Sequence, residues 1–246
     1  MVKQLIFYPE SKFGGFTDID GTMAFYNRVN ALINRDSVVL DVGCGRGSYA
    51  EDPIPIRRNL RILKGKVKTV IGIDVNSSAE QNPFIDTFYH INTEKWPVPD
   101  NSADLIISDN VLEHISSPEK FFSEVCRVLK AGGHICIRTP NAWSYIALIS
   151  RVIPNMFHAK VLKKAQVNTN EEDVFPTLYR CNSVRKLKAV LNKYGFEYTV
   201  YCYEAEPSYL SFSKFAYWLG VLHQRFAPRF LKPAIFAFGK LNKIRS

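Results

Sequence analysis

None of the five cysteines (Cys44, Cys126, Cys136, Cys181, Cys202) forms a Cys-x-x-Cys pair. That argues against metal ligands and against a disulfide framework. Three of the five sit inside apolar strand or helix patterns and read as small buried residues, as a reducing compartment allows. No uninterrupted apolar run approaches the ~18 residues needed to cross a bilayer. Residues 1–9 lack the apolar length and small-residue cleavage site of a secretory signal. We therefore expect a cytoplasmic chain rather than an integral membrane protein. Internal repeats and low-complexity tracts are also missing.

Acid is missing from one end. Between Pro207 and Ser246 there is no Asp or Glu, while Lys214, Arg225, Arg229, Lys232, Lys240, Lys243 and Arg245 supply seven positive charges out of a formal excess of +9. Aromatics lie among them at Phe212, Phe215, Tyr217, Trp218, Phe226 and Phe230. Such a mixture suits the headgroups of an anionic membrane, so peripheral contact at its inner face through residues 207–246 is one expectation. The competing one is that the aromatics bury against a sheet beneath a solvated basic face. Single-stranded nucleic acid is a weaker match.

What is present is an alternation of strands and helices from residue 38 onward, the pattern of a parallel sheet covered by helices. Apolar runs at 37–43 (SVVLDVG), 67–75 (VKTVIGIDV), 103–109 (ADLIISD) and 134–140 (HICIRTP) predict buried strands, with 196–204 and 234–241 as later ones. Ser117 followed by Pro118 opens a predicted helix that stops at Gly132-Gly133. A second helix is expected to start at Asn182-Ser183 and end at Gly195. Residues 141–180 break the rhythm, and an excursion of that length predicts a lid or substrate-binding insertion. Residues 205–233 read as a basic helical insertion before the last strand.

The first strand runs into Gly43-x-Gly45-x-Gly47. Glycine permits a sharp turn and close backbone approach to a ligand. A dinucleotide loop would be Gly-x-Gly-x-x-Gly opening directly into a helix. Here the spacing differs, and Pro53 and Pro55 follow. Asp74 ends the next strand with a carboxylate suited to both hydroxyls of a ribose. A nucleoside without a pyrophosphate fits this pair better than a dinucleotide.

VVLDVGCGRG, VIGIDV, ADLIISDNVLEHI and EVCRVLKAGGHICIRTPN together resemble the successive motifs of class I S-adenosylmethionine-dependent methyltransferases, specifically the type 11 group. The resemblance covers roughly residues 20–141, with the motifs in the right order at the right strand ends. It implies a Rossmann-like, seven-stranded, mostly parallel sheet with helices on both faces and S-adenosylmethionine as cofactor. One domain over 1–246 follows: N-terminal cap helices in 1–36, a cofactor core in 37–140, the lid in 141–180, and the rest of the sheet in 181–246. By the same resemblance Asp41, Gly43 and Gly45 line the methionine and ribose part of the cofactor, and Asp74 holds the ribose. Asn92 occupies the position of an adenine-binding aspartate, and Ser108 and Asp109 face the sulfonium end.

The stretch DNVLEHIS, 109–116, lies where the acceptor of an open α/β sheet arrives. Transfer to a hydroxyl needs a base, and His114 is the candidate, with Asp109 or Glu113 orienting it. Related enzymes bind a divalent ion through Glu-x-x-Glu-His at this place. This chain has Asn110 for the first glutamate, and an amide supplies less charge to a hard cation, so we expect no metal. Glu113, His158, Tyr179 and Arg180 are candidate acceptor contacts. The run TPNAWSYIALISRVIP…FPTLYRCN further resembles bacterial enzymes associated with surface-glycan biosynthesis. It implies a sugar hydroxyl on a nucleotide- or lipid-linked glycan as acceptor. An RNA terminal 2'-O-methyltransferase and a non-catalytic cofactor-binding module are the alternatives.

Overall fold

The computed structural model describes residues 2–152 and 176–242. Its sheet has seven strands: β1 (Val38–Val42), β2 (Thr69–Asp74), β3 (Thr87–His90), β4 (Ala103–Asp109), β5 (Leu129–Pro140), β6 (Phe196–Tyr203) and β7 (Ala234–Leu241). They lie in the order β3-β2-β1-β4-β5-β7-β6. β1 through β5 are mutually parallel, and β7 runs antiparallel between β5 and β6. The expected mostly parallel, Rossmann-like sheet is therefore observed.

Alternation along the strands sends side chains to two separate layers. Leu40, Ile106, Ile135 and Ile137 face α4 (Pro118–Val128) and α6 (Val184–Lys193), meeting Phe121, Phe122, Val125, Leu187 and Leu191. Val39, Leu105, Ile107 and Cys136 face the other way, toward Phe25, Tyr26 and Val29 of α2 (Gly21–Ala31). The other α-helices among the described residues are α1 (Val2–Phe7), α3 (Pro55–Arg61), α5 (Tyr145–Val152) and α7 (Lys214–Phe226). Among the described residues no helix is long and apolar enough to cross a membrane.

Helix starts follow their caps. Ser117 Oγ accepts from the Lys120 amide with Pro118 in the first turn, and Ser183 Oγ accepts from the Lys186 amide. One end departs from the sequence pattern. α4 stops at Val128, because Leu129 turns extended (φ −75°, ψ 133°) and pairs with Ala103 at the start of β5. The strand thus absorbs the Gly132-Gly133 pair that was expected to end the helix. A Cβ on Gly133 would lie 3.0 Å from the Asp104 carbonyl oxygen, so this irregular strand entry has room only for glycine. The edge strand β3 carried no sequence signal. Residues 205–233 are helical where described as expected: α7 is flanked by short 3-10 turns at Ser208–Leu210 and Arg229–Leu231.

Candidate active site

The glycine loop leaves β1 at its carboxyl end. Gly43 takes φ +69°, and a Cβ there would sit 2.4 Å from Val111 Cγ2, so a side chain at 43 would push away the segment that carries His114. The Gly43 amide donates to the Ile73 carbonyl at 2.7 Å. At Gly45 a Cβ would meet nothing within 4 Å, so the loop opens here onto free space. The Gly45 amide donates to Asp74 Oδ2 (3.0 Å), and the Asn76 amide donates to Asp74 Oδ1 (2.8 Å). Each oxygen of this buried carboxylate keeps a further acceptor direction. Asn82 donates through one amide nitrogen to the carbonyls of both Cys44 and Gly45, each at 3.0 Å, and so ties down the loop. As no sequence marker separates Asn82 from other loop asparagines, sequence reasoning passed over it. A single 3-10 turn, Ser48–Glu51, follows Gly47 directly, and the first α-helix after the loop, α3, starts only at Pro55.

Beneath the loop, on the α2 face, lies a charged floor. Arg138 Nε and one Nη each donate to an oxygen of Asp109 at 2.6 Å, and Tyr26 Oη adds a third bond at 2.9 Å. Burial would raise the Asp109 carboxyl, but the Arg138 charge and hydrogen bonds, with Arg61 and Tyr26, outweigh it and hold its pKa below the ordinary range. Asp109 is thus engaged by Arg138 and Tyr26, and Asn110 Nδ2 adds a bond at 3.1 Å. Arg61 stacks over Tyr49 at 4.4 Å and comes within 4.0 Å of Asp109. Asp41 differs from Asp109: it accepts no hydrogen bond from a described residue. Desolvation, reinforced by the charges of Asp109 and Asp74, pushes its pKa up to about 7.

On the opposite face, the Glu113 side chain is buried. Thr139 Oγ1 donates to Glu113 Oε2 at 3.1 Å, and Asn182 donates to Thr139 Oγ1 at 2.6 Å. Burial raises the Glu113 pKa. The amides of Leu178 and Tyr179 both donate to the Glu113 carbonyl, at 2.7 and 3.1 Å. This strap holds Tyr179 in the left-handed region at φ +51°, an uncommon conformation for a bulky residue. His114 Nδ1 lies 3.0 Å from the Pro176 carbonyl oxygen, and Nε2 lies 3.9 Å from Glu113 Oε1. Arg180 is exposed, and its carbonyl accepts from Lys186 Nζ. Ser108 is buried, and its hydroxyl has no hydrogen-bond partner among the described residues. Asn92 is exposed just past β3, beside Ile91, whose amide donates to the Asp74 carbonyl. His158 lies outside the described residues. Among them, no three His, Cys, Asp or Glu side chains converge as a metal-ligand group.

The sequence reading missed Arg138, Arg61, Tyr26, Thr139 and Asn182. Arg138 alone carried a signal, a charge inside the apolar run HICIRTP.

A sheet of this order, with its glycine turn and acidic strand end at the crossover between β1 and β4, defines an open α/β protein that binds a nucleoside at its carboxyl edge. A methyltransferase-domain family model (Methyltransf_23) matches residues 21–200. The chain belongs to this family, within the class I S-adenosylmethionine-dependent methyltransferases, although the matching model is not the type 11 group that the motifs resemble. A probable S-adenosylmethionine-dependent methyltransferase of Mycolicibacterium smegmatis is 31% identical over 135 residues, 52% of this chain and 48% of that one. One from Mycobacterium tuberculosis is 27% identical over 137 residues, 53% and 45% of the two chains. The chain thus spans about half the length of these curated relatives. In fold it is similar to an S-adenosylmethionine-dependent methyltransferase from Archaeoglobus fulgidus (TM-score 0.55, 18% identity, 94% and 97% covered). It is also similar in fold to Haemonchus contortus phosphoethanolamine N-methyltransferase 2 in complex with S-adenosylmethionine (TM-score 0.53, 17% identity, 97% and 57% covered).

The cofactor is S-adenosylmethionine, and the residues present fit it. The space at Gly45 is open, Asp74 retains acceptor directions for hydroxyls, and Asp41 is a carboxyl near that loop with no hydrogen-bonded partner among the described residues. Asp41, Gly43, Gly45 and Asp74 would hold it.

The Asp41 carboxyl predicts a pH dependence. A carboxyl raised from 3.8 to about 7 stabilises the free protein fully below its ordinary pKa, and that contribution is lost as pH rises through about 7. A cation placed beside it favours the ionised form, so binding of S-adenosylmethionine is expected to tighten as pH rises through this range and to release a proton. Calorimetry in buffers of different ionisation enthalpy measures that proton. Equal release by wild type and Asp41→Asn would remove Asp41 from this role.

Proposed function

We propose that the chain transfers a methyl group from S-adenosylmethionine to a hydroxyl, with His114 as general base and a sugar hydroxyl of a nucleotide- or lipid-linked glycan as acceptor. The observation that carries the base assignment is the His114 ring geometry. A carbonyl oxygen can only accept, so the contact with Pro176 puts the proton of the neutral ring on Nδ1 and the lone pair on Nε2. Nε2 is then the atom that takes the acceptor proton. The imidazolium that results lies 3.9 Å from the buried Glu113 carboxylate, which stabilises it. Thr139 and Asn182 fix that carboxylate, and the 178–179 strap fixes its backbone. S-adenosylmethionine supplies an electrophilic methyl on a sulfonium.

The glycan class rests on the likeness of the run from Thr139 to Asn182 to enzymes of surface-glycan synthesis. Incubation with labelled S-adenosylmethionine and separate fractions of cell lipid, polysaccharide and RNA tests it. Label is expected in the lipid or polysaccharide fraction and to be carried on a sugar. Label confined to RNA would replace the glycan with a ribose terminus. Affinity for S-adenosylhomocysteine with label in no fraction would favour a binding module.

A further inference from the structure

α7 presents two apolar faces where a surface helix needs one. Its inner face is already satisfied: Tyr217 and Val221 are buried with Tyr8, and Gly220 packs so tightly that a Cβ would lie 2.5 Å from Pro207. The outer face carries Phe215, Trp218, Leu219 and Phe226, spaced i, i+3, i+4 and i+11 and so aligned in one stripe. All four are exposed, Phe215 to 66% and Phe226 to 78%, and Phe212 and Phe230 extend the stripe beyond both ends at 61% and 63%. Phe215 and Trp218 stack on each other rather than on the core, at 5.9 Å. Large exposed aromatic stripes cost solubility and mark a surface that meets something apolar.

The charges beside the stripe select the occupant. Lys214, Arg225 and Arg229 are exposed on the same segment, and no acidic residue occurs anywhere in 207–246. Aromatic side chains flanked by unopposed cations match the acyl–headgroup boundary of an anionic bilayer. A protein partner would have to be both apolar and acidic.

The position in the fold adds a consequence. Pro140, the last residue of β5, and Tyr203, the last of β6, both pair with Ala234, the first of β7. Residues 204–233 therefore leave and rejoin the sheet at the carboxyl edge, the edge that bears Asp41, Asp74 and the glycine loop. Asn141, directly after β5, donates to the carbonyls of Phe230 (2.7 Å) and Lys232 (2.9 Å) and anchors the segment there.

We infer that the outer stripe of α7 docks this chain on an anionic lipid surface, with the cofactor edge of the sheet toward the bilayer. The inference is independent of the glycan reading, and its test needs neither cofactor nor acceptor, so the two fail separately. The full chain is mixed with vesicles of phosphatidylcholine alone or of phosphatidylcholine with phosphatidylglycerol, and bound protein is measured by flotation. We expect binding to the mixed vesicles only, weakening as salt rises. Phe215→Ser/Trp218→Ser should abolish it. Lys214→Gln and Arg225→Gln should each weaken it about fivefold. Unchanged melting temperatures show that the variants fold, and Phe226→Ser, at the most exposed position, serves if the double variant does not. Three results overturn the inference: no binding to mixed vesicles, equal binding by wild type and stripe variants, or a stripe whose removal only turns a dimer into a monomer. Salt-sensitive binding to polyuridylate without vesicle binding also overturns it, in favour of nucleic acid.

Discussion

Arg138→Met is expected to destabilise the fold by about 3–5 kcal/mol, among the largest effects of any single substitution in this chain. The Arg138 side chain is 13% exposed and that of Asp109 9%, and the two are joined by parallel bonds of 2.6 Å. Met fills much of the same volume between Phe25 and Tyr26, over which Arg138 now stacks at 5.3 and 5.8 Å, so packing is largely kept. What is lost is the charge that compensates a buried carboxylate. Such a loss is costlier than never having had the pair. The double variant Arg138→Met/Asp109→Leu removes both charges and should recover most of the deficit. Denaturant unfolding of wild type, single and double variants measures all three. A single variant that loses less than about 1 kcal/mol, the scale of an exposed pair, would show that Arg61, already 4.0 Å from Asp109, takes over the pairing.

His114→Ala is expected to lower kcat by about 10²–10⁴, the usual contribution of a positioned base, while affinity for S-adenosylhomocysteine stays within about twofold of wild type. The separation follows from the two faces of the sheet. Asp41, Asp109 and Arg138 lie on the α2 side, whereas Glu113, Thr139 and Asn182 form their network on the α4 side. Removing the imidazole therefore leaves the carboxylates around the glycine loop untouched. Thr139→Val takes one hydrogen bond from Glu113 and should reduce kcat more mildly, again without a change in cofactor affinity. Labelled methyl transfer to the responsive cell fraction reads kcat, and calorimetry reads affinity. A fall in S-adenosylhomocysteine affinity that matches the fall in kcat would reassign His114 to cofactor binding.

The parts legible in the sequence were those governed by local rules. The strand at 103–109 and the strand at 234–241 match their apolar runs residue for residue, because both are central and buried. Ser117 and Ser183 announced their helices through the hydroxyl that caps each one. β3 was illegible because four half-polar residues at a sheet edge become a strand only by pairing with β2. The end of α4 was misread because a local stop signal, two glycines, serves a long-range need, the close approach of β5 to Asp104. In the site, the glycine turn and the acidic strand ends were visible as spacing. The engagement of Asp109 by Arg138 and Tyr26 was not, since it depends on which sheet face the residue points to. Asp109 and Glu113, four residues apart, meet different neighbours because the turn at Asn110, at φ +57°, sends the chain from one face to the other.

The reversed direction of β7 makes this protein modular at one place. Whatever chain joins β6 to β7 must emerge and return beside the cofactor, and it does so without contributing a strand to the parallel half of the sheet. Residues 204–233 can therefore be exchanged for a segment of another length or character while the glycine loop, Asp74 and the Arg138–Asp109 pair stay in place. Grafting foreign segments between Tyr203 and Ala234 offers a way to redirect which acceptors reach an unchanged donor site.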